Sequence, residues 1–317
     1  MLALWFLAVV TGCGGAQHTD AARPLPPFDA LCALPTGATT VARLEPDAVM
    51  ADPGLRALLD VVVPRRRESL VRARFGFALG EAKEIVWASY DGGELLLVTL
   101  DGAAADAVRA GAAHMDVERS SDAPVTRRGG FSGKVPRELV AIREHTLVVG
   151  SGDLTPLYDL LRTEFELREG AESTACMGAI PEDLPARGAG SVAPFTVWWP
   201  EPLALPEDAP IALLLAEERS MRVTLRPAGE QAIVHVTLRG AFPRTAPDNF
   251  RALVAAVASS SFARLFGLER LPETLEVQSA PGGIELEARV LSDKVADGLR
   301  TAFTAETSDL VGLLADE

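Results

Sequence analysis

Two spacings of apolar residues divide the chain. From Glu84 to Leu100, aliphatic and aromatic residues crowd into two short runs, Ile85-Val86-Trp87-Ala88 and Leu95-Leu96-Leu97-Val98, on either side of Asp91-Gly92-Gly93. Such runs flanking Asp-Gly predict a β-hairpin, because glycine supplies the positive φ that the turn needs. A second hairpin is predicted from Thr274 to Val290, turning at Pro281-Gly282-Gly283. Its return run, Ile284 to Val290, alternates apolar and charged residues strictly, which buries one face and leaves the other to water. Met221 to Leu225 and Ile233 to Leu238 read as neighbouring meander strands joined through Pro227-Ala228-Gly229.

A wider spacing marks the helices. Asp52-Pro53 supplies an N-cap and a first-turn proline ahead of Leu55, Leu58, Leu59 and Val62. Thr155-Pro156 repeats the device before Leu157, Leu160, Leu161 and Phe165. The longest helix is predicted from Pro247-Asp248 through Phe250, Val254, Phe262 and Leu265 to a stop at Gly267, and Ser292 is the predicted cap of a last helix bearing Ala296, Leu299 and Phe303. Two short echoes accompany this order. Val98-Thr99-Leu100-Asp101-Gly102-Ala103 recurs as Val236-Thr237-Leu238-Arg239-Gly240-Ala241, and Ala105-Asp106-Ala107-Val108-Arg109 as Ala296-Asp297-Gly298-Leu299-Arg300.

Hairpins with separate helices predict an α+β fold, two similar domains of antiparallel strands each covered by helices. The domains are expected at 28–166 and 194–317. Between them, 167–193 is rich in Gly, Ala, Ser, Pro and Glu without sustained periodicity and reads as a linker. Hydrophobic residues make up 48% of the chain, enough for a sizeable core, so disorder is excluded. The net charge of −14 argues against nucleic acid, whose phosphates demand a basic footprint.

The first ten residues carry no charge and are nearly all apolar, too short to span a bilayer but of signal-peptide length. They end in Val10-Thr11-Gly12-Cys13, followed by Gly14-Gly15. This resembles the lipobox of bacterial lipoproteins. The resemblance implies that residues 1–12 are a removed signal peptide and that Cys13 is acylated. It implies attachment to the membrane through that lipid, with Gly14 after the cysteine favouring the outer membrane. No Lys or Arg precedes the run, a departure from the usual signal peptide; the alternative is a buried first element with a core cysteine. Residues 13–27 read as a flexible tether. The body, with its tandem strand-hairpin-helix units, resembles exported lipoproteins of high-GC Gram-negative bacteria. An oxidising compartment leaves Cys32 and Cys176 either as one disulfide or as two inert buried thiols.

Candidate chemistry narrows quickly. Arg127 to Val135 approaches a phosphate loop but has arginine where the loop needs its first glycine and valine where it needs Ser or Thr, so it reads as a turn between strands. The histidines His18, His114, His145 and His235 are scattered, without zinc-site spacing. His145 falls in a predicted turn, and His235 on the solvent side of a strand. The acidic run Glu164, Glu166, Glu169, Glu172 lacks a calcium loop and reads as a solvated helix end. Trp198 and Trp199 adjoin in an extended segment, so they face opposite ways: one is free to meet a glycan, lipid head group or partner, or else covers the domain seam. Arg65-Arg66-Arg67 form a basic patch, either a solvated helix face or a contact for phosphate or carboxylate groups.

The expectation is a lipid-anchored cell-envelope protein, an outer-membrane lipoprotein facing the periplasm or the cell surface. It works as a non-enzymatic binding or scaffolding module without cofactor or metal, its partner an envelope protein or glycan contacted through Trp198, Trp199 and Arg65 to Arg67. The rivals are a periplasmic hydrolase with an unrecognised site and a lipid carrier with an enclosed apolar cavity.

Overall fold

The Asp-Gly-Gly turn forms as its residues require. β2 (Ala82–Tyr90) and β3 (Gly93–Leu100) pair antiparallel about Gly92, which sits at φ 79. The computed structural model describes residues 28–111, 126–168, 193–202, 215 and 217–304. Around this hairpin stand β1 (Thr40–Leu44), β4 (Thr126–Ser132), β5 (Val135–Arg143), β6 (Thr146–Gly152) and β7 (Phe195–Trp199). β8 (Glu218–Ala228), β9 (Gln231–Gly240), β10 (Glu276–Ala280) and β11 (Gly283–Leu291) complete, among the described residues, one antiparallel sheet of eleven strands. The order is β10-β11-β9-β8-β7-β1-β2-β3-β6-β5-β4. The α+β class holds.

The described helices are α1 (Pro46–Ala51), α2 (Pro53–Val62), α3 (Arg65–Phe75), α4 (Ala104–Gly111) and α5 (Thr155–Arg168) in the first half. The second half carries α6 (Ala246–Ala258), α7 (Ser261–Leu265), α8 (Leu271–Thr274) and α9 (Ser292–Thr304). Asp52 caps α2 through its side chain, which accepts from Leu55 N at 2.8 Å, as the Asp-Pro pair predicts. At α5 the cap comes from Asp153, whose carboxylate accepts from Thr155 N and Thr155 Oγ1 at 2.9 and 2.7 Å. The single helix predicted over 247–267 is broken: Ser260 Oγ accepts from Ala263 N at 3.0 Å and starts α7 afresh. A hydroxyl that caps a new turn competes with helix continuation. Ser292 is buried inside the first turn of α9 with its Oγ unpartnered among the described residues, so it does not cap through its side chain.

The ranges 28–166 and 194–317 are two halves of one sheet, joined edge to edge where β1 pairs with β7. Counted outward from that join, the halves repeat. β1-β2-β3-β6-β5 matches β7-β8-β9-β11-β10, and β4 is extra. In each half a hairpin leads to a helical segment, a second hairpin packs its last strand on the first, and a helix follows. The echo of Val98 to Ala103 in Val236 to Ala241 falls at matching places, the ends of β3 and β9. The second echo does not: Ala105 to Arg109 lie in α4 and Ala296 to Arg300 in α9, which hold different places in the repeat.

The halves differ in how their sheet faces are covered. In the first half both faces are dry. Val86, Ala88, Leu95, Leu97, Val140 and Val148 pack under Leu157, Leu160 and Leu161 of α5 on one face. Val98, Leu100, Leu139, Leu147 and Val149 pack under α4 and Phe77 on the other. Each fully buried leucine contributes about 1.5–3 kcal/mol. In the second half the described helices lie on the α4 side alone. Leu238, Ile284 and Val277 meet Phe250 of α6, and Ala232 and Val290 meet Leu55 of α2 and Val295 of α9. The last helices, α5 and α9, therefore take opposite faces. Glycines explain the first choice: Gly150 lies against Leu157 and Leu154, and Gly152 leaves β6 at φ 78, where a Cβ would collide with Gly92 O. Glu285, Glu287 and Arg289 on β11 explain the second, because an apolar helix face gains nothing by covering charges.

Candidate functional site: the polar face of the second half

Register aligns the side chains of this face in rows. Arg43 of β1, Thr196 of β7, Thr224 of β8, His235 of β9, Glu287 of β11 and Glu276 of β10 follow one another directly across the sheet. The next row runs Val41, Trp198, Arg222, Thr237, Glu285, Gln278. Strand alternation puts both rows on the face that α5 covers in the other half. Arg43, Thr196, Trp198 and Thr237 are buried, whereas Arg222, Thr224, His235, Glu285 and Glu287 are half-buried, forming a floor partly open to water.

Charges on the floor are interleaved. Arg43 Nε donates to Glu84 Oε1 at 2.7 Å and its Nη2 to Glu45 Oε1 at 2.5 Å. Arg226 Nη2 donates to Glu287 Oε2 at 2.6 Å, Arg222 Nη2 to Thr237 Oγ1 at 3.3 Å, and Gln278 Nε2 to Glu285 Oε2 at 3.3 Å. Some polar capacity stays unused. Among the described residues, Arg43 Nη1, Arg226 Nε and His235 Nε2 are buried atoms without a hydrogen-bond partner. Burial pushes the His235 imidazole below its ordinary pKa; Glu285 and Glu287 oppose that shift, and Arg226 and Arg222 add to it.

Thr224, His235 and Glu287 are the residue types of a nucleophile, base and carboxylate, set side by side. Their bonds are not those of a triad. Glu287 is held by Arg226, and His235 Nε2 bonds to neither neighbour, whereas an activated nucleophile needs its base within hydrogen-bond reach. What the floor offers is donors and acceptors side by side over two rows.

The residues singled out in sequence fall in different places. Trp198 is in the core beneath α5, and Trp199 is half-buried on the opposite face, where its register partner is Met221. Arg65, Arg66 and Arg67 open α3, which packs with α4 on that opposite face; Arg67 is exposed. The tryptophan on the floor and the arginines thus lie on opposite sides of the sheet. Cys32 sits in a turn held by Asp29, whose Oδ1 accepts from Leu31 N and Cys32 N at 3.0 and 3.2 Å. Cys32 is disulfide-bonded, and its partner lies outside the described residues. Cys13, Cys176, the tether and nearly all of the linker also lie outside them, as do His18 and His114. His145 occupies its predicted turn, exposed, with Nδ1 3.3 Å from Gly102 O. Glu164 is no solvated helix end: it is buried in α5 and takes Arg143 Nε and Nη2 at 2.8 and 3.1 Å. Of the floor, Trp198, His235 and the charged alternation of β11 were visible in the sequence. The rows themselves need register across six strands.

The sequence matches no family model, and no curated protein matches it. The solved structures do. The fold is shared with TP0453. Its crystal forms III and IV superpose with a TM-score of 0.54 at 9% identity; each match covers 87% of this chain, with 99% and 97% of TP0453 respectively. Crystal form I gives 0.52 at 10% identity, covering 88% of this chain and 99% of the other. The likeness spans nearly the whole of TP0453 and is one of fold. No helix among the described residues is long and apolar enough to cross a membrane.

Proposed function

We propose that this chain is a lipid-anchored envelope protein acting as a non-enzymatic binding module, and that the polar face of its second half binds a hydroxyl-rich ligand, an envelope glycan. The observation that carries the reading is the floor itself. Arg, Thr, His, Glu and Gln gather in two register rows, so donors and acceptors stand side by side with little net charge. Each sugar hydroxyl both donates and accepts, which suits such a surface better than a wholly anionic or cationic partner. Acylation at Cys13 holds the body at the membrane, and the Cys32 disulfide, with Cys176 as partner, fits an oxidising compartment.

Titration of the purified protein with soluble peptidoglycan fragments and with delipidated lipopolysaccharide tests the reading. Arg222→Ala combined with Glu285→Gln is expected to weaken binding about tenfold or more, as losing two hydrogen bonds to charged groups does, without changing Tm. Equal binding by that variant contradicts the assignment. Cys13→Ser is expected to move the protein from the membrane to the soluble fraction of a Gram-negative host.

A further inference from the structure

Among the described residues, the other buried charges of the first half are paired. Arg43 meets Glu84 at 2.7 Å, Arg143 meets Glu164 at 2.8 Å, and Glu138 takes Arg127. Arg137 on β5 is the exception. It is 4% exposed, its Nη2 is buried without a hydrogen-bond partner, and no carboxylate among the described residues pairs with it. Its guanidinium carbon lies 4.5 Å from the centre of the Phe75 ring, and that of Arg74 lies 5.7 Å from the same ring. Two cations thus share one aromatic side chain at the end of α3. A ring satisfies the face of a guanidinium but none of its in-plane N–H donors. Gly130, the register partner of Arg137 on the edge strand β4, contributes no side chain there.

We propose that Arg137 and Arg74 form an oxyanion site that takes a phosphomonoester group. The guanidinium fork matches phosphate oxygens in bidentate geometry, and a bound dianion supplies a countercharge that no described residue provides. Burial first, and the repulsion of Arg74 second, push the Arg137 pKa down to about 10, and an anion beside the two guanidinium groups offsets both. The site lies on the α4 side of the sheet, away from the polar floor, and stands independently of the glycan reading.

The test is a thermal-shift titration of the full chain with inorganic phosphate at constant ionic strength, set beside flotation with phosphatidic acid vesicles and phosphatidylcholine vesicles. Phosphate is expected to raise the Tm of the native protein and to leave that of Arg137→Met unchanged. Arg137→Met is expected to be no less stable than the native chain in phosphate-free buffer, since it removes a buried unpaired charge. Arg74→Gln, at an exposed position, is expected to keep the fold and to weaken phosphate binding about tenfold. A response to phosphatidic acid vesicles alone, lost in Arg137→Met, upholds the site and identifies its phosphate as a lipid head group. A phosphate response unchanged in Arg137→Met, or no Arg137-dependent response to either probe, overturns the proposal.

Discussion

The two halves share a strand order but not a cross-section. The first half buries both faces of its strands, and the second, among the described residues, puts all its helices on one. The difference is written in the strands. β5 and β6 carry Leu139-Val140-Ala141-Ile142 and Leu147-Val148-Val149 as continuous apolar runs, which need cover on both sides. β11 alternates Ile284, Leu286, Ala288 and Val290 with Glu285, Glu287 and Arg289, which needs cover on one. A repeated topology thus yields a scaffold in one half and a polar surface in the other. Which face the closing helix takes decides the difference.

The join between the halves should be the most sensitive place. Glu84→Gln leaves the buried Arg43 guanidinium with the more exposed Glu45 as its remaining carboxylate, and a loss of about 3–5 kcal/mol is expected in denaturant unfolding. A smaller but still large loss, about 2–4 kcal/mol, is expected from Leu157→Ala, which opens a cavity between α5 and the sheet. On the same face in the other half, Thr224→Ala should change stability by no more than about 0.5 kcal/mol. Equal costs at Leu157 and Thr224 would erase the contrast between the faces.

The finest effect is the pH dependence at His235. Its pKa in the folded chain lies below the ordinary value, so the unfolded chain binds the extra proton first as pH falls. Stability contributed by neutral His235 is full above the ordinary histidine pKa. It declines as pH drops below about 6.5 toward the depressed folded value. His235→Gln should therefore flatten the fall of Tm between pH 7 and pH 5; an unchanged slope would place His235 in water rather than on a half-buried floor.

Local chemistry made much of this legible in the sequence. The glycine turns at Gly92 and Gly282, the Asp52 cap and the one-sided alternation of β11 depend on neighbours a few residues apart, and each appears in the fold. The join of β1 to β7 was not legible: two five-residue strands about 150 positions apart carry no local signal that they pair. The break at Ser260 rests on one hydroxyl inside an otherwise helical pattern. Arg137 shows nothing in sequence, because an arginine in a hairpin is ordinarily solvated; only burial beside Arg74 and Phe75 makes it unusual.

Hydrogen exchange of the chain with and without delipidated lipopolysaccharide or peptidoglycan fragments addresses the binding surface most directly. Slowed exchange confined to β8, β9 and β11 is the predicted result. Slowing confined to α5 and β6, or no slowing with any glycan, would contradict the assignment of the polar face as the binding surface.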